Sequence, residues 1–543
     1  VEKIRHFMDH KLFRRRSSVE LSTLDIINEY SLSIPSSKPS RLARIFPDGM
    51  LWFFVICVAL KLVFFAYGVY IYENSLSRTI NSFFNQWGDI WWNLEGLCDF
   101  NGDYIMFREN WLNGETLYGE AFNGRYLYPP LFYYIIHIFA RWTIYSAPIV
   151  MFLCNITTGF FVFHLAKNFG ANGRAAKSMM VLTLLSPFNL YYADFIWQNT
   201  GVFTTFVVIS MWHLSRENYR QGMFWLGIAI CIKQVAAFFL PVFLFGIIYK
   251  LYYKPKEKYM HRWSFVEYIK SIPWTMMFYY GAIPVFVFLL SSMPYILIIP
   301  EKYLGTILGF GSTNETWLTE IFSNIVSVDF VGTFVGWFPD LTLGDYPSYQ
   351  PNYRTAMDVA FAWIGHNLGI STRITVIFSI LFHNQIILFG VLGVIMISYW
   401  RLVKNRRYLS DQEFYWLMWY AGSLSCFGAI LFYDVGIYKY YLVTLAPMWG
   451  MYNVLSPLNH DYWKKGWDVS LKEIWMHPSR IKYWFYGGGT VFHVLSQFGL
   501  QLLMLYFNKW LVPVYLYLPL FLLGLICLFI RSGTKYDQKS VLD

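Results

Sequence analysis

Two carboxylates, Asp99 and Asp103, stand in an aromatic-rich stretch that reads Leu97-Cys98-Asp99-Phe100-Asn101-Gly102-Asp103-Tyr104. A carboxylate close to a bilayer surface and backed by aromatic rings can carry a raised pKa, and can then act as a base toward a hydroxyl. Aromatic faces also suit sugar rings, which makes Tyr104 and Tyr128 candidate substrate contacts. The same stretch runs on through Trp111-Leu112-Asn113-Gly114 and ends in Arg125-Tyr126-Leu127-Tyr128-Pro129-Pro130-Leu131, a rigid Pro-Pro start to an apolar element. Two more residues could meet an anion. Lys233 lies inside a long apolar run, where an ionisable group costs about 2.5–3.5 kcal/mol on insertion scales and a function is the default hypothesis. Arg125 beside the Pro-Pro step is the other. Lys439 either pairs with Asp434 across a short turn or reaches the same anion.

The elements that must position these groups are membrane helices. Of 543 residues, 56% are hydrophobic and only 14% charged, against about 25% charged in a soluble domain. Aromatics at 21% suit two broad membrane–water interfaces. The formal charge of +10 does not read as a nucleic-acid surface, because the basic residues fall between apolar spans rather than on one face. Of six cysteines only Cys98 lies in a polar loop, and none has metal-ligand spacing, so no disulfide framework or zinc site is expected.

Apolar stretches long enough to cross a bilayer run from Met50 to Tyr72, Pro148 to Ala166, Ser178 to Phe195, Trp197 to Leu214 and Gly222 to Tyr253. Others run from Ile272 to Ile299, Ile374 to Trp400, Glu413 to Tyr433, Ile437 to Leu455, Trp484 to Phe507 and Trp510 to Ile530. The first follows a basic arm, residues 1–49, and is read as a signal anchor with the arm in the cytoplasm. The next loop, 73–128, carries three arginines against eight acidic residues and belongs outside.

Two places test this orientation. Leu131–Ala140 spans only about 15 Å at helical rise and is read as a shallow element on the outer side. Gly222–Tyr253 is too long for one span and has basic clusters at both ends, so it must rise and return, breaking near Lys233-Gln234. With these choices every later basic cluster, Arg401–Arg407, Lys464–Lys482 and Arg531–Lys539, falls inside, with both termini cytoplasmic. The expected fold is an all-α polytopic membrane protein of about twelve spans over residues 50–543, with outer loops at 73–128 and 300–372. No internal repeat is evident. Asn314-Glu315-Thr316 in the second loop is a glycosylation triplet. His164, His213 and His383 are scattered in or near spans with no metal spacing and are read as structural.

The order Asp99-Phe100, Gly114, Leu117-Tyr118, then Arg125-Tyr126-Leu127-Tyr128-Pro129-Pro130-Leu131 resembles the first luminal loop of C-type (GT-C) membrane glycosyltransferases. It is similar in particular to the family-87 polyprenol-dependent transferases and to the catalytic subunit of GPI mannosyltransferase I. Leu185-Ser186-Pro187-Phe188-Asn189-Leu190-Tyr191-Tyr192 resembles the family's Ser-Pro segment, Gln198-Asn199 its Gln-x-Asn helix start, and the stretch around Lys233-Gln234 its Lys-Pro helix end. Gln234 stands where relatives often carry Pro, and no Trp-Trp-Asp-Tyr-Gly signature of oligosaccharyltransferases is present.

The resemblance covers about the first half of the chain. It implies an inverting transfer of a hexose or pentose, mannose favoured, from a polyprenyl- or dolichyl-phosphate carrier on the extracytoplasmic side. Asp99 would be the base, Asp103 the reserve carboxylate, and Gln198 a substrate contact beside Tyr104 and Tyr128. Lys233, Arg125 and Lys439 would meet the carrier phosphate. The acceptor would be a glycan, lipid or protein, with membrane lipids around the chain and room for a small accessory subunit. No metal ligand is assigned, and a divalent cation is left open, since lysine and arginine can stabilise a phosphate leaving group without one. The plasma membrane of an archaeon or bacterium is expected, or the ER membrane of a eukaryote. The rival class is a secondary transporter or flippase for a lipid-linked or anionic sugar, which needs mid-membrane charges in both halves; Lys233 reads as nearly alone in that respect. A non-catalytic scaffold is the third reading.

Overall fold

Apolar runs with few helix breakers can satisfy their backbone polar groups only internally when no water is at hand, and here they do so as helices. The computed structural model describes residues 41–74, 100–118, 128–197, 201–254, 267, 270–300, 303, 385–405, 410–432, 469–483, 490–506 and 518–533. No strand occurs among the described residues. The chain separates into two compact units, Val1–Leu51 and Trp52–Asp543. The described part of the first holds a short helix, Arg41–Ile45, and a turn with Asp48 at φ 56°.

The main helices are α1 (Met50–Glu73), α2 (Ile105–Asn113), α3 (Pro130–Ile136), α4 (Ser146–Asn168), α5 (Gly173–Leu185) and α6 (Gly201–Leu214). They continue as α7 (Tyr219–Ile232), α8 (Leu240–Ile248), α9 (Trp274–Ile298), α10 (Gln385–Asn405), α11 (Asp411–Phe432), α12 (Thr490–Tyr506) and α13 (Leu518–Gly533). Five described helical stretches are long and apolar enough to cross a membrane: Pro47–Glu73, Ser146–Asn168, Gln234–Tyr253, Trp274–Ile298 and Asp411–Leu431. Trp52, Val63, Phe278, Phe286, Leu290 and Ile298 stand exposed on α1 and α9. Apolar rows of that size need a non-aqueous surround, so the molecule is membrane-embedded. In contrast every residue from Glu413 to Leu431 on α11 is buried, which makes it the centre of its bundle.

Side-chain pairs fix the helix directions. Tyr72 meets Tyr145, Phe65 meets Phe152 and Phe54 meets Phe160, so α1 and α4 are antiparallel. Thr158 bonds Thr205 at 2.7 Å and Asn168 bonds Ser215 at 2.8 Å, so α4 and α6 run together. Ser210 Oγ donates to Gly222 O at 2.7 Å and Phe206 stacks on Trp225, so α7 returns along α6.

The long run that contains Lys233 does turn back. α7 stops at Ile232, Lys233 is extended (φ −147°, ψ 122°), a 3-10 stretch Gln234–Phe239 follows, and α8 continues it. Lys250 Nζ at the far end comes within 3.7 Å of Glu217 Oε1, just before α7 begins, which only a hairpin allows.

One end of the bundle is basic. Lys177 lies over Phe53, Lys250 and Lys254 both reach Asp411 Oδ1 at 2.5 Å, Arg531 pairs with Glu413, and Arg401 lies over Phe529. The opposite end carries Glu73, Tyr145 and the first loop, and is called the loop end below.

Two expected spans are less regular than their apolar runs suggest. Ser178–Phe195 is not one helix: α5 ends at Ser186 (ψ 140°) before Pro187, and a π-helical turn, Asn189–Phe195, completes it. Trp197, expected to open the next span, sits instead at φ 57° ahead of α6.

Candidate functional site

α7 has 14 residues, about 21 Å at helical rise, too short to cross a hydrocarbon core of about 30 Å. Register shows where α7 stops. The Asn155 carboxamide of α4 lies against Gly201, whose added Cβ would sit 2.6 Å from Asn155 Oδ1. Asn155 is nine residues into α4, so the described start of α6 lies about 13 Å below the loop end of that helix. Running back along α6, α7 brings Lys233 to the same level. Lys233 is 8% exposed.

The end of the first loop lies against α7. α3 opens on Pro129-Pro130, with Pro130 at its first turn, where a missing N–H does no harm. It packs against α4, α7 and α9. A cluster of phenols joins the three parts. Tyr134 on α3 shares a hydroxyl bond with Tyr295 on α9, and Tyr118 of the first loop rests on the rings of Tyr295 (5.4 Å) and Tyr303 (5.2 Å). Tyr118, at φ 65°, donates to Tyr128 O at 2.6 Å, and Tyr303 donates to Ser292 Oγ at 2.5 Å. Ser291 next to it donates to Cys231 Sγ at 3.3 Å, two residues before Lys233. The Pro-Pro end of the first loop and the break at Lys233 therefore belong to one neighbourhood.

The carboxylate part of the loop is anchored nearby. A π-helical turn, Phe100–Tyr104, leads into α2, which ends on Gly114 in the left-handed conformation (φ 72°) that glycine adopts without strain. Phe100 stacks on Tyr145 (5.7 Å) and meets the edge of Trp197 (4.8 Å), with Tyr72 closing the box at 5.0 Å. Tyr145 donates to Glu73 at the end of α1. α2 is held to α3 by Tyr133, which donates to Phe107 O at 3.0 Å, and by Trp111, which packs on Tyr133 and Tyr134.

Of the expected site residues, Asp103 is half-buried in the π-helical turn, Tyr104 is buried behind it, and Tyr128 is half-buried beside Phe132. Asp99, Arg125, Gln198 and Lys439 lie outside the described residues, as do Asp434, His383 and the Asn314 triplet. His164 rests between Phe160 and Phe163, and His213 lies edge-on to Trp212. Among the described residues no three His, Cys, Asp or Glu side chains come together as a metal site.

Lys233 is not the lone charge at mid-membrane depth. Lys61, halfway along α1, donates to Asp194 Oδ2 at 2.5 Å and to Leu184 O at 3.2 Å, and both charged side chains are 0% exposed. By the α1–α4 register Lys61 lies level with Asn155, hence close to the depth of Lys233. Removing one partner of such a pair strands a buried charge, at a cost of about 3–5 kcal/mol. Around it are polar atoms with no hydrogen-bond partner among the described residues: Asp194 Oδ1, Asn155 Nδ2 and Trp197 Nε1. A single charged residue inside each of two apolar runs was the readable signal for this pair.

A second unexpected group sits in the α3 turn. His137 is 2% exposed, stacked on Trp111 and edge-on to Tyr133, and neither ring nitrogen has a hydrogen-bond partner among the described residues. Burial, reinforced by the Arg108 guanidinium, lowers its pKa to about 3, so the ring is neutral. Arg108 is fixed by its own bonds, from Nε to Ala140 O (2.8 Å) and Thr143 O (3.1 Å).

No protein-family model matches the chain, and no curated protein matches it.

Proposed function

We propose that the protein is a GT-C-type membrane glycosyltransferase of about twelve spans. It moves a sugar, mannose favoured, from a polyprenyl- or dolichyl-phosphate carrier to a glycan, lipid or protein acceptor on the extracytoplasmic side, with inversion. The observation that carries this reading is the packing of α3 against α7, whose end is Lys233. That contact sets the Pro-Pro end of the first loop beside a mid-membrane cation. The carboxylates of that loop together with the cation are the two chemistries that transfer from a lipid phosphate requires. Asp99 takes the proton of the acceptor hydroxyl as the new glycosidic bond forms, with Asp103 as the reserve carboxylate. Lys233 receives the phosphate as the sugar–phosphate bond breaks, assisted by Arg125 and Lys439. Tyr128, with Gln198, faces the sugars, and Tyr104, buried behind the π-helical turn, backs Asp103 instead. A divalent cation beside the phosphate is compatible with this scheme but not required by it.

The test is transfer by the purified protein from radiolabelled polyprenyl-phosphate mannose, glucose or arabinose. The wild type is expected to turn over one donor, and Asp99→Asn to lose about 10²–10⁴-fold, the usual contribution of a general base. Lys233→Ala is expected to raise KM for the donor. Full transfer by Asp99→Asn would remove the base assignment.

A second reading is favoured by one observation, the Lys61–Asp194 pair at mid-membrane beside a broken helix, as expected of a transporter or flippase. Carrier-linked sugar crossing proteoliposome membranes, with no turnover by any form, would decide for it.

A further inference from the structure

Lys61, Phe65, Gly68 and Tyr72 follow the spacing that puts residues on one face of a helix. All four meet one short segment. Lys61 holds Asp194, and Phe65 packs on Trp197 at 5.9 Å. A Cβ on Gly68 would sit 2.6 Å from Phe195 O and 3.2 Å from the Trp197 ring, so only glycine lets the chain pass this close. Tyr72 touches both Trp197 and Phe100. The segment is itself irregular: Asp194 is part of a π-helical turn, and Trp197, fully buried, takes a φ of 57° that a bulky side chain rarely adopts. Irregular backbone of this kind persists only where its surroundings over-determine it. The stripe on α1 supplies those surroundings, and Phe100 rests on the result.

We infer that Lys61, Gly68 and Asp194 are positioning residues: they clamp Trp197 under Phe100 and so fix the Phe100–Tyr104 turn, to which Asp99 is joined in sequence. The catalytic consequence rests on the transferase reading; the clamp itself does not. Asp194 meets Lys61 through Oδ2 alone, while Oδ1 has no partner among the described residues, so the bond to Lys61 sets the carboxylate's direction and the depth of the turn. Stability alone does not call for such a pair, since well-packed apolar residues often replace a buried ion pair without loss.

The test uses full-length protein in nanodiscs with Gly68→Ala and the double variant Lys61→Met/Asp194→Leu, beside the single variants. Three quantities are read: thermal midpoint, maleimide labelling rate of Cys98 by peptide mass spectrometry, and kcat and KM for the lipid-linked sugar. The double variant should melt near the wild type, and Gly68→Ala should melt lower but stay folded, because its methyl must push the chain away from Phe195 O and Trp197. Cys98, two residues from Phe100, should change its labelling rate several-fold. kcat should fall by about 100-fold, as for a small misplacement of a catalytic group, with KM for the donor unchanged. Unchanged labelling in both variants overturns the clamp, as does loss of fold in both, which would make the pair a stability element only. Altered labelling with wild-type kcat overturns the link to catalysis. Altered labelling when even the wild type shows no turnover leaves the clamp standing and sinks the transferase reading instead.

Discussion

His137 gives a test at the level of one residue. Its folded pKa of about 3 lies below the ordinary value of 6.5 because burial and then Arg108 penalise the charged ring. Between those two values the unfolded chain binds a proton that the folded one does not, so stability rises with pH there. The contribution is complete above about pH 6.5 and is lost as the solution is acidified toward pH 3. Thermal melts from pH 7.5 down to about 4.5 should therefore fall more steeply for the wild type than for His137→Leu. Parallel curves would show that the ring is solvated or paired in the folded state. Lys61 and His137 teach the same lesson about legibility. Each is visible in the sequence as a polar group in apolar surroundings, but Asp194 and Lys61 are 133 positions apart, and no local pattern pairs residues at that distance.

Among elements, the hairpin around Lys233 was readable and the kink at Ser186 was not fully so. Basic residues at both ends of an overlong apolar run leave a turn in the middle as the solution, and the structure has it at Lys233. Ser186-Pro187 stands out in the sequence as a motif, yet the run around it is apolar enough to count as one span. Proline restrains the residue before it, and that local term overrides apolar continuity. Close packing of α7 against α9 gives a further prediction. A Cβ on Gly227 would lie 2.9 Å from Pro284 Cα and from Val287 Cβ. Helix propensity favours alanine over glycine by about 1 kcal/mol, but a backbone carbon of a proline cannot step aside. Gly227→Ala should thus lower the thermal midpoint, by an overpacking cost of about 1–3 kcal/mol. A midpoint raised above wild type would mean that the two helices are not in contact at this position. Because α7 ends in Lys233, the same variant should weaken donor binding in the transfer assay.

For the whole molecule the central observation is a cluster of basic residues at one end of the bundle. Lys177, Lys250, Lys254, Arg401 and Arg531 gather at one end, and Glu73 with the first loop at the other. Positive charge marks the cytoplasmic side of a membrane protein. Cysteines introduced at Arg174 and Arg216 should accordingly react with an impermeant maleimide only from the cytoplasmic side, and one at Glu115 only from the other. Labelling of Glu115→Cys and Arg216→Cys from the same side would dismantle the proposed active centre. Membrane residence, the helical class and the alternation of charge between apolar runs follow from composition and run length, because solvation by lipid leaves the backbone few options. The stopping depth of α7, the seating of α3 against it, and the partners of Lys61 and Trp197 do not follow. Those depend on which side chains interlock across helices far apart in the chain, and packing complementarity of that kind exists only once the helices are assembled.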